Sequence, residues 1–490
     1  MNAPKLSDRR LPHRCGPLTL LPEPHTHAKP TRRWCELDPK LRSMLMRSAL
    51  RAGLRRKSTL SVTAAIHNDG TMDVAAAAKS IASSLRASGP ASRPDLVFFA
   101  CTSPFRAYAD FPGLLAKEMD LDGTTVILGT ACDAGIIGGG EEVQRAPAIA
   151  VQVCHLPQGA VMHTWSTDTA ASLPTLYKRT LSPSVSQSVA GPAKEEDSWA
   201  TLFKLPADES AGLIMLMDAH TYDERFLAYL DRALPDGVKV GGLTAGGVYF
   251  DGEWLDGGGA GVVLSGTVAV DCIVAQGAEE FGPEMIVDSS EANFVVTVDE
   301  GQTALNAVTP HIREEQERHP EDFRPDQPDR ILVGLKVDAK IKSGQTPDDV
   351  FKRGFTQYTC RQIMQMDPQS GALGLAVSPE VLKSGQKLRL HRFSRGAAEA
   401  EMSRQCKAYL DHNAGRAPAG ALVFSCAGRG VGLYGEEGVE TALMAEVWGS
   451  QVAASSCGFF AAGEVGPVGF RTHTHSFTTS MALLRHRITR

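Results

Sequence analysis

One unit recurs three times along the chain, and this limits the folds open to it more than any other feature. An apolar run ends on a small or polar residue, an amphipathic stretch follows, and a second run leads into a glycine-rich loop. In the first copy the runs are 96–101 and 125–129, with the loop at 133–140. In the second they are 213–218 and 238–242, with the loop at 244–248. In the third they are 421–426 and 451–455, with the loop at 458–466. Continuous apolar runs of this length suit strands covered on both faces. The recurrence predicts a repeated architecture whose glycine loops meet a ligand at strand ends.

Bulk properties exclude several classes. A chain of 490 residues holds two to four domains at roughly 100–200 residues each. A net charge of −6 provides no basic field for nucleic acid or anionic membrane. No apolar run approaches the ~20 residues of a membrane span. Of the ten cysteines, none forms a CxxC pair, which argues against a zinc ribbon or thioredoxin-type motif. Several lie within apolar runs, where cysteine behaves as a small hydrophobe, so a reducing intracellular compartment fits better than a disulfide scaffold.

Residues 1–57 stand apart. Asp8, Glu23, Glu36 and Asp38 face ten arginines and four lysines. Two readings are open: an organelle transit peptide, or a disordered basic tail. The first places the protein in a mitochondrion or plastid, the second in the cytoplasm. Beyond the leader we expect an N-terminal domain at 58–312, a polar linker at 313–330 and a C-terminal domain at 331–490. Helices are expected at 74–85 and 396–412, a strand at 331–337, a last strand at 475–484 and a flexible insertion at 166–199. Hairpins are expected at 148–165, at 260–274 turning on Ser265-Gly266, and between 373–377 and 387–391. The fold class is α/β with mixed sheets, in two parts built from repeated β-α-β-glycine-loop units and antiparallel hairpins.

Three blocks resemble the FIST family, the sensory module of F-box and intracellular signal transduction proteins, over about residues 60–487. Gly129, Gly135, Gly138, Gly139, Gly140 and Glu141, with 240–277, are similar to its N-terminal region. Cys426-Ala427-Gly428-Arg429-Gly430, 458–467 and 475–483 are similar to its C-terminal region. The resemblance implies a small-molecule-sensing domain that in bacteria feeds kinases, cyclases and chemoreceptors. Some bacterial members are haem-binding nitric oxide sensors. In animals and plants the module follows an F-box in ubiquitin-ligase substrate receptors, although residues 1–57 lack the apolar three-helix pattern of an F-box.

The residues themselves nominate a site. Cys426 at a strand end, beside Arg429 and the open backbone of Gly428 and Gly430, suits a thiol of lowered pKa and an arginine that holds a carboxylate or phosphate. A tight turn with Arg429 paired to a structural acid is the other reading. Glu464, after Gly463, binds a ligand amine, pairs with Arg429, or faces solvent. Cys101 in the first copy and Asp218 in the second match the position of Cys426. Gly135 and Gly247 lie at or near that of Glu464. The loops carrying Gly135, Gly138, Gly246 and Gly247 offer backbone amides to an anion, or simply pack closely. His473 and His475 share a strand face but lack a carboxylate or cysteine at ligand spacing. No catalytic residue, metal or cofactor is assigned. The leading expectation is a sensor for an amino-acid-like or anionic small molecule. A protein-interaction module linked to ubiquitin-dependent degradation comes second, and a haem-based gas sensor third.

Overall fold

A computed structural model of the chain describes residues 59–106, 109–166, 211–234, 237–323, 330–337, 358–377, 379, 381–469 and 471–487. The basic leader and nearly all of the 166–199 stretch lie outside them. Three six-stranded sheets share one topology. In the first, Leu96–Thr102 and Val126–Cys132 run parallel, Ile149–His155 flanks the former antiparallel, and Ser61–His67 closes that edge. The counterparts in the second are Gly212–Asp218, Val238–Thr244, Gly259–Gly266 and Ala160–Ser166. In the third they are Gly420–Cys426, Cys457–Ala461, Thr479–His486 and Val268–Ala275. The fold is α/β with mixed sheets, as expected.

The last two strands of each sheet are a short hairpin lent by a different unit. After the first glycine loop, Ile136–Gly138 with Glu141–Val143 pairs onto Cys457–Ala461 of the third sheet. After the second, Val248–Phe250 with Glu253–Trp254 pairs onto Val126–Cys132 of the first. After the third, Gly463–Val468 with Arg471–His475 pairs onto Val238–Thr244 of the second. The exchange is cyclic, so each unit completes another's sheet. The loops meet through direct bonds. Cys132 Sγ donates to the Phe460 carbonyl at 2.8 Å, Thr244 Oγ1 to Ala131 at 2.7 Å, and Ala462 N to Leu243 at 2.9 Å.

Strand alternation explains the layering. Inner-face residues of all three sheets, among them Phe98, Leu216 and Phe424, form one shared core. Phe98 meets Phe424 edge-on at 6.5 Å, and Phe424 meets Phe459 at 5.7 Å. At Gly242 a Cβ would come within 2.8 Å of both Phe424 and Phe459, so a bare backbone is required there. The outer faces are covered by helices. Val74–Ser88 starts on Asp73, which accepts from Ala75 N and Ala76 N, and buries Ala77, Ala78, Ile81 and Leu85 against the first sheet. Arg225–Ala233 covers the second sheet, while Arg395–His412 and Val439–Trp448 cover the third. Each fully buried Leu or Phe contributes about 1.5–3 kcal/mol.

The third unit is interrupted. Between Val268–Ala275 and Gly420–Cys426 lies a seven-stranded antiparallel sheet. Its strand Ala278–Glu291 pairs with Lys387–Phe393 and also with Phe294–Val298, so the sheet closes on itself around Val287, Val333, Leu375 and Leu390. The helix Ala304–Arg318 packs on it through Ala304, Ala307 and Val308. The stretch 313–330 expected as a linker thus begins inside that helix and continues as a turn at Pro320–Asp322.

Several local expectations change. The hairpins expected at 148–165 and 260–274 are crossovers between sheets: Ile149–His155 and Ala160–Ser166 belong to the first and second, Gly259–Gly266 and Val268–Ala275 to the second and third. Ala372–Leu375 pairs with Tyr358–Asp367 and Phe294–Val298, not with Lys387–Phe393. The run 451–455 falls in the short helix Ser450–Ala454, which packs Val452 and Ala453 on the outer core, and the strand follows at Cys457–Ala461. The strand expected at 475–484 is divided between Arg471–His475 and Thr479–His486, with Phe477 at φ +58° between them. No helix among the described residues is long and apolar enough to cross a membrane.

Candidate functional site

Equal registers allow the three units to be compared residue by residue. Thr102 lies opposite Cys132, Asp218 opposite Thr244, and Cys426 opposite Ala461. The backbone repeats the match: Thr102 N donates to Ala148, Asp218 N to Gly258 and Cys426 N to Thr478. The counterpart of Cys426 in the first unit is therefore Thr102, not Cys101, which points to the outer face. The same registers align Glu464 with Ile136 and Val248 rather than with Gly135 and Gly247. Ile136 and Val248 sit in the shared core. Glu464 is as deeply buried, at 0% exposure. A carboxyl at a position that is apolar in the other two copies is not required by the fold. Glu142 is a similar exception: it stands where the other hairpins carry Trp254 and Thr474.

These exceptions frame a sealed polar network. Arg429, fully buried, donates from Nε to Glu440 Oε1 at 2.5 Å, from Nη2 to the Tyr434 hydroxyl at 2.7 Å, and from Nη1 to the carbonyls of Phe477 and Ala275. Tyr434 OH and Thr479 Oγ1 also donate to Glu440 Oε1, at 3.1 and 2.8 Å. Glu440 Oε2 and Glu464 Oε1 are buried without a hydrogen-bond partner. Glu464 Oε2 accepts from Thr478 N at 3.3 Å. Burial drives the Glu464 carboxyl well above the ordinary range, against the pull of Thr478 N–H, the Cys426 thiol and Arg429. The Cys426 thiol is pushed up, by burial first and then by Glu464. The lowered thiol pKa expected from its neighbours is therefore overturned. Gly428 N–H and Phe477 N–H do approach the sulfur, but desolvation outweighs them.

An open groove of about 620 Å³ adjoins this network. It is lined by Gly139, Gly140, Glu141 and Glu142 of the lent hairpin and by Glu437, Ala442 and Ala445 of the third unit, among others. Glu142 links the two tiers. Its carboxylate accepts from Thr441 N at 2.8 Å and Gly438 N at 3.1 Å, and so caps the helix Val439–Trp448, which has no side-chain cap of its own. Burial first, and Glu440 second, raise its pKa to about 7. Gln144 of the same hairpin receives Val431 N on its Oε1 at 2.7 Å, while Gln144 N donates to Glu437 at 2.8 Å.

The structure brings Cys426, Gly428, Arg429, Gly430 and Glu464 together at the end of the third sheet, with Gly428 exposed and the other four buried. Arg429 takes Glu440 as its acid, which sequence alone did not single out. Gly430, at φ +52°, leaves room for the Gln144 amide, and a Cβ at Gly428 would strike the Phe477 ring. Gly463 stands beside Leu243 of the second sheet. Gly135 and Gly138 reach the third sheet through the lent hairpin. Gly246 and Gly247 lie elsewhere, against Ala131 of the first sheet. His473 and His475 have ring centroids 6.3 Å apart, and His475 Nε2 faces the Gly466 carbonyl at 3.0 Å. Burial holds the pKa of His475 at about 3 and that of His473 well below the usual value, so both rings are neutral at physiological pH. Glu142, Glu437 and Glu440 escaped sequence reasoning. The signals were the paired acids after three glycines and the acids within a glycine-rich turn at 435–440.

The chain is 27% identical over 278 residues to uncharacterized proteins MT0656 and Rv0628c of Mycobacterium tuberculosis, covering 55% of this chain and 67% of each relative. It is equally similar to uncharacterized protein Mb0898c of Mycobacterium bovis, over 66% of that relative. The FIST N domain matches residues 95–301 and the FIST C domain residues 331–467. With both regions present in order on the exchanged three-unit scaffold, the chain belongs to the FIST family, whose domains are implicated in signal transduction and sensing.

Proposed function

We propose that the protein is a small-ligand-sensing module whose ligand enters the groove between the lent hairpin and the helix Val439–Trp448. The observation that carries this reading is the break in repeat symmetry. Glu464 and Glu142 replace core or neutral residues of the other copies: Glu464 is buried against Thr478 at the end of the third sheet, and Glu142, lent to that sheet, lines the groove. A volume of about 620 Å³ is in the range of small-molecule sites. In this reading Cys426, Arg429 and Glu464 form a buried relay and do not touch the ligand. A ligand that binds one setting of the hairpin better than another shifts the Glu142 hold on Gly438 and Thr441, and with it the joint between units. The ubiquitin-linked and haem-based alternatives draw on the family resemblance and on no residue of this site.

The test is native mass spectrometry of the full chain after incubation with a small-molecule extract. A bound adduct is expected, and Ala442→Trp, which fills the groove from an exposed helix position, should abolish it. An adduct that survives Ala442→Trp would place the ligand elsewhere and defeat the proposal.

A further inference from the structure

The charge balance of the groove restricts its occupant. Glu141, Glu142 and Glu437 line it, and each is held by neutral donors: Asn68 Nδ2 donates to Glu141 at 2.8 Å, Gly438 N and Thr441 N to Glu142, and Gln144 N to Glu437. Among the described residues, no Lys, Arg or His lines it. Behind Glu142 the buried Glu440 already holds Arg429 on one oxygen, and its other oxygen has no partner. The rest of the lining is largely small and apolar, including Ala442, Ala445, Ala453 and Ala454. An anionic ligand would meet three carboxylates with no counter-charge among the described lining residues, and the carboxylate of an amino acid would find no cation among them to pair with.

Resting on the sensor reading above, we infer that the ligand carries a cationic head, an ammonium or guanidinium group, on a short apolar body without a carboxylate. The head sits among Glu141, Glu142 and Glu437, and the body lies along the alanines. This departs from the amino-acid-like or anionic ligand expected from sequence, because the basic residue that suggested it, Arg429, is engaged in the sealed network. A positive head also supplies the charge that Glu142 lacks, favouring its ionised form and its hold on the helix.

Isothermal titration calorimetry on the full chain with hexylammonium, hexanoate and leucine tests this. Hexylammonium should bind, leucine more weakly and hexanoate not at all. The double substitution Glu141→Gln with Glu437→Gln, at two exposed positions, should weaken hexylammonium by at least about tenfold, since a hydrogen bond to a charged group is worth roughly 1.5–3 kcal/mol. Hexylammonium binding unchanged in that variant overturns the inference. Hexanoate or leucine binding more tightly, and lost in Ala442→Trp, overturns the charge class but keeps the sensor reading. No binding by any of the three overturns the inference, and the extract experiment then decides the sensor reading by itself.

Discussion

The first and third sheets have the same strand order and the same registers, yet their ends differ in chemistry. Where the first unit places Cys101, Thr102, Ala148, Ile149 and Ala150, the third places Ser425, Cys426, Thr478, Thr479 and Ser480. Where the first unit's lent hairpin places Ile136 in the shared core, the third unit's places Glu464. The first end is packed as fold alone requires, whereas the third carries buried polar groups that are only partly satisfied. Repetition therefore provides an internal control: what differs between copies is what the scaffold does not need.

The strongest way to break this comparison is to remove the guanidinium that the third unit is built around. Arg429→Met leaves Glu440 buried with Tyr434 and Thr479 but no counter-charge, and should destabilise by about 3–5 kcal/mol. Urea unfolding followed by fluorescence measures it. Arg429→Met combined with Glu440→Leu should recover most of the loss, because the cost lies in the orphaned charge. A double variant as unstable as the single one would mean that packing, not charge pairing, sets the value of Arg429.

Much of the scaffold could be read from the chain. Two of the three parallel pairs, the first strand of the third, the glycine loops and the helices expected at 74–85 and 396–412 follow from apolar runs and caps that lie close together in sequence, whereas the third pair's second strand lies one short helix beyond the run 451–455. Partner choice could not be read. A strand's alternation reports which face it buries, not which edge it joins, so two runs around Ser265-Gly266 look like a hairpin while belonging to different sheets. The site divides in the same way. Cys426, Arg429 and Glu464 stood out because glycines surround them. Their acid partner Glu440 and the bridging Glu142 did not, since the Glu142 bond to Thr441 spans 299 residues.

Converting the third unit toward the first sharpens the comparison with a smaller effect. Glu464→Ile installs the residue found at the first unit's matching position, Ile136, and removes a buried carboxyl with an unpartnered oxygen; Glu464→Val, which copies Val248 of the second unit, does the same with a smaller side chain. We expect a gain of about 1–3 kcal/mol, the desolvation cost of such a group. The reverse change, Ile136→Glu, should destabilise. The gain depends on pH. Because the folded-state pKa of Glu464 lies above its ordinary 4.5, the folded state holds the proton more tightly than the unfolded chain. Wild-type stability is then lost as pH rises above about 4.5. The advantage of Glu464→Ile should therefore be larger at pH 7 than at pH 4. An advantage that is flat or reversed with pH would show that Glu464 is ionised and well paired in the folded state.

The two units also cap their helices differently, and this gives the smallest effect. Val74–Ser88 uses its own neighbour, with Asp73 accepting from Ala75 N and Ala76 N at 3.0 Å each. Val439–Trp448 starts at Gly438 and borrows Glu142 from the first unit. Asp73→Ala should cost about 1 kcal/mol, and Asp73→Ser little, as for an ordinary local cap. The borrowed cap should behave otherwise. Asp73→Ala and Glu142→Gln act on separate helices and should add within about 0.5 kcal/mol. Glu142→Gln and Glu440→Gln should not add, because Glu440 raises the charging cost of Glu142. A thermal-melt double-mutant cycle on both pairs separates the cases. Strict additivity of Glu142 with Glu440 would reduce Glu142 to a plain cap and cut the link we draw between the open groove and the sealed network.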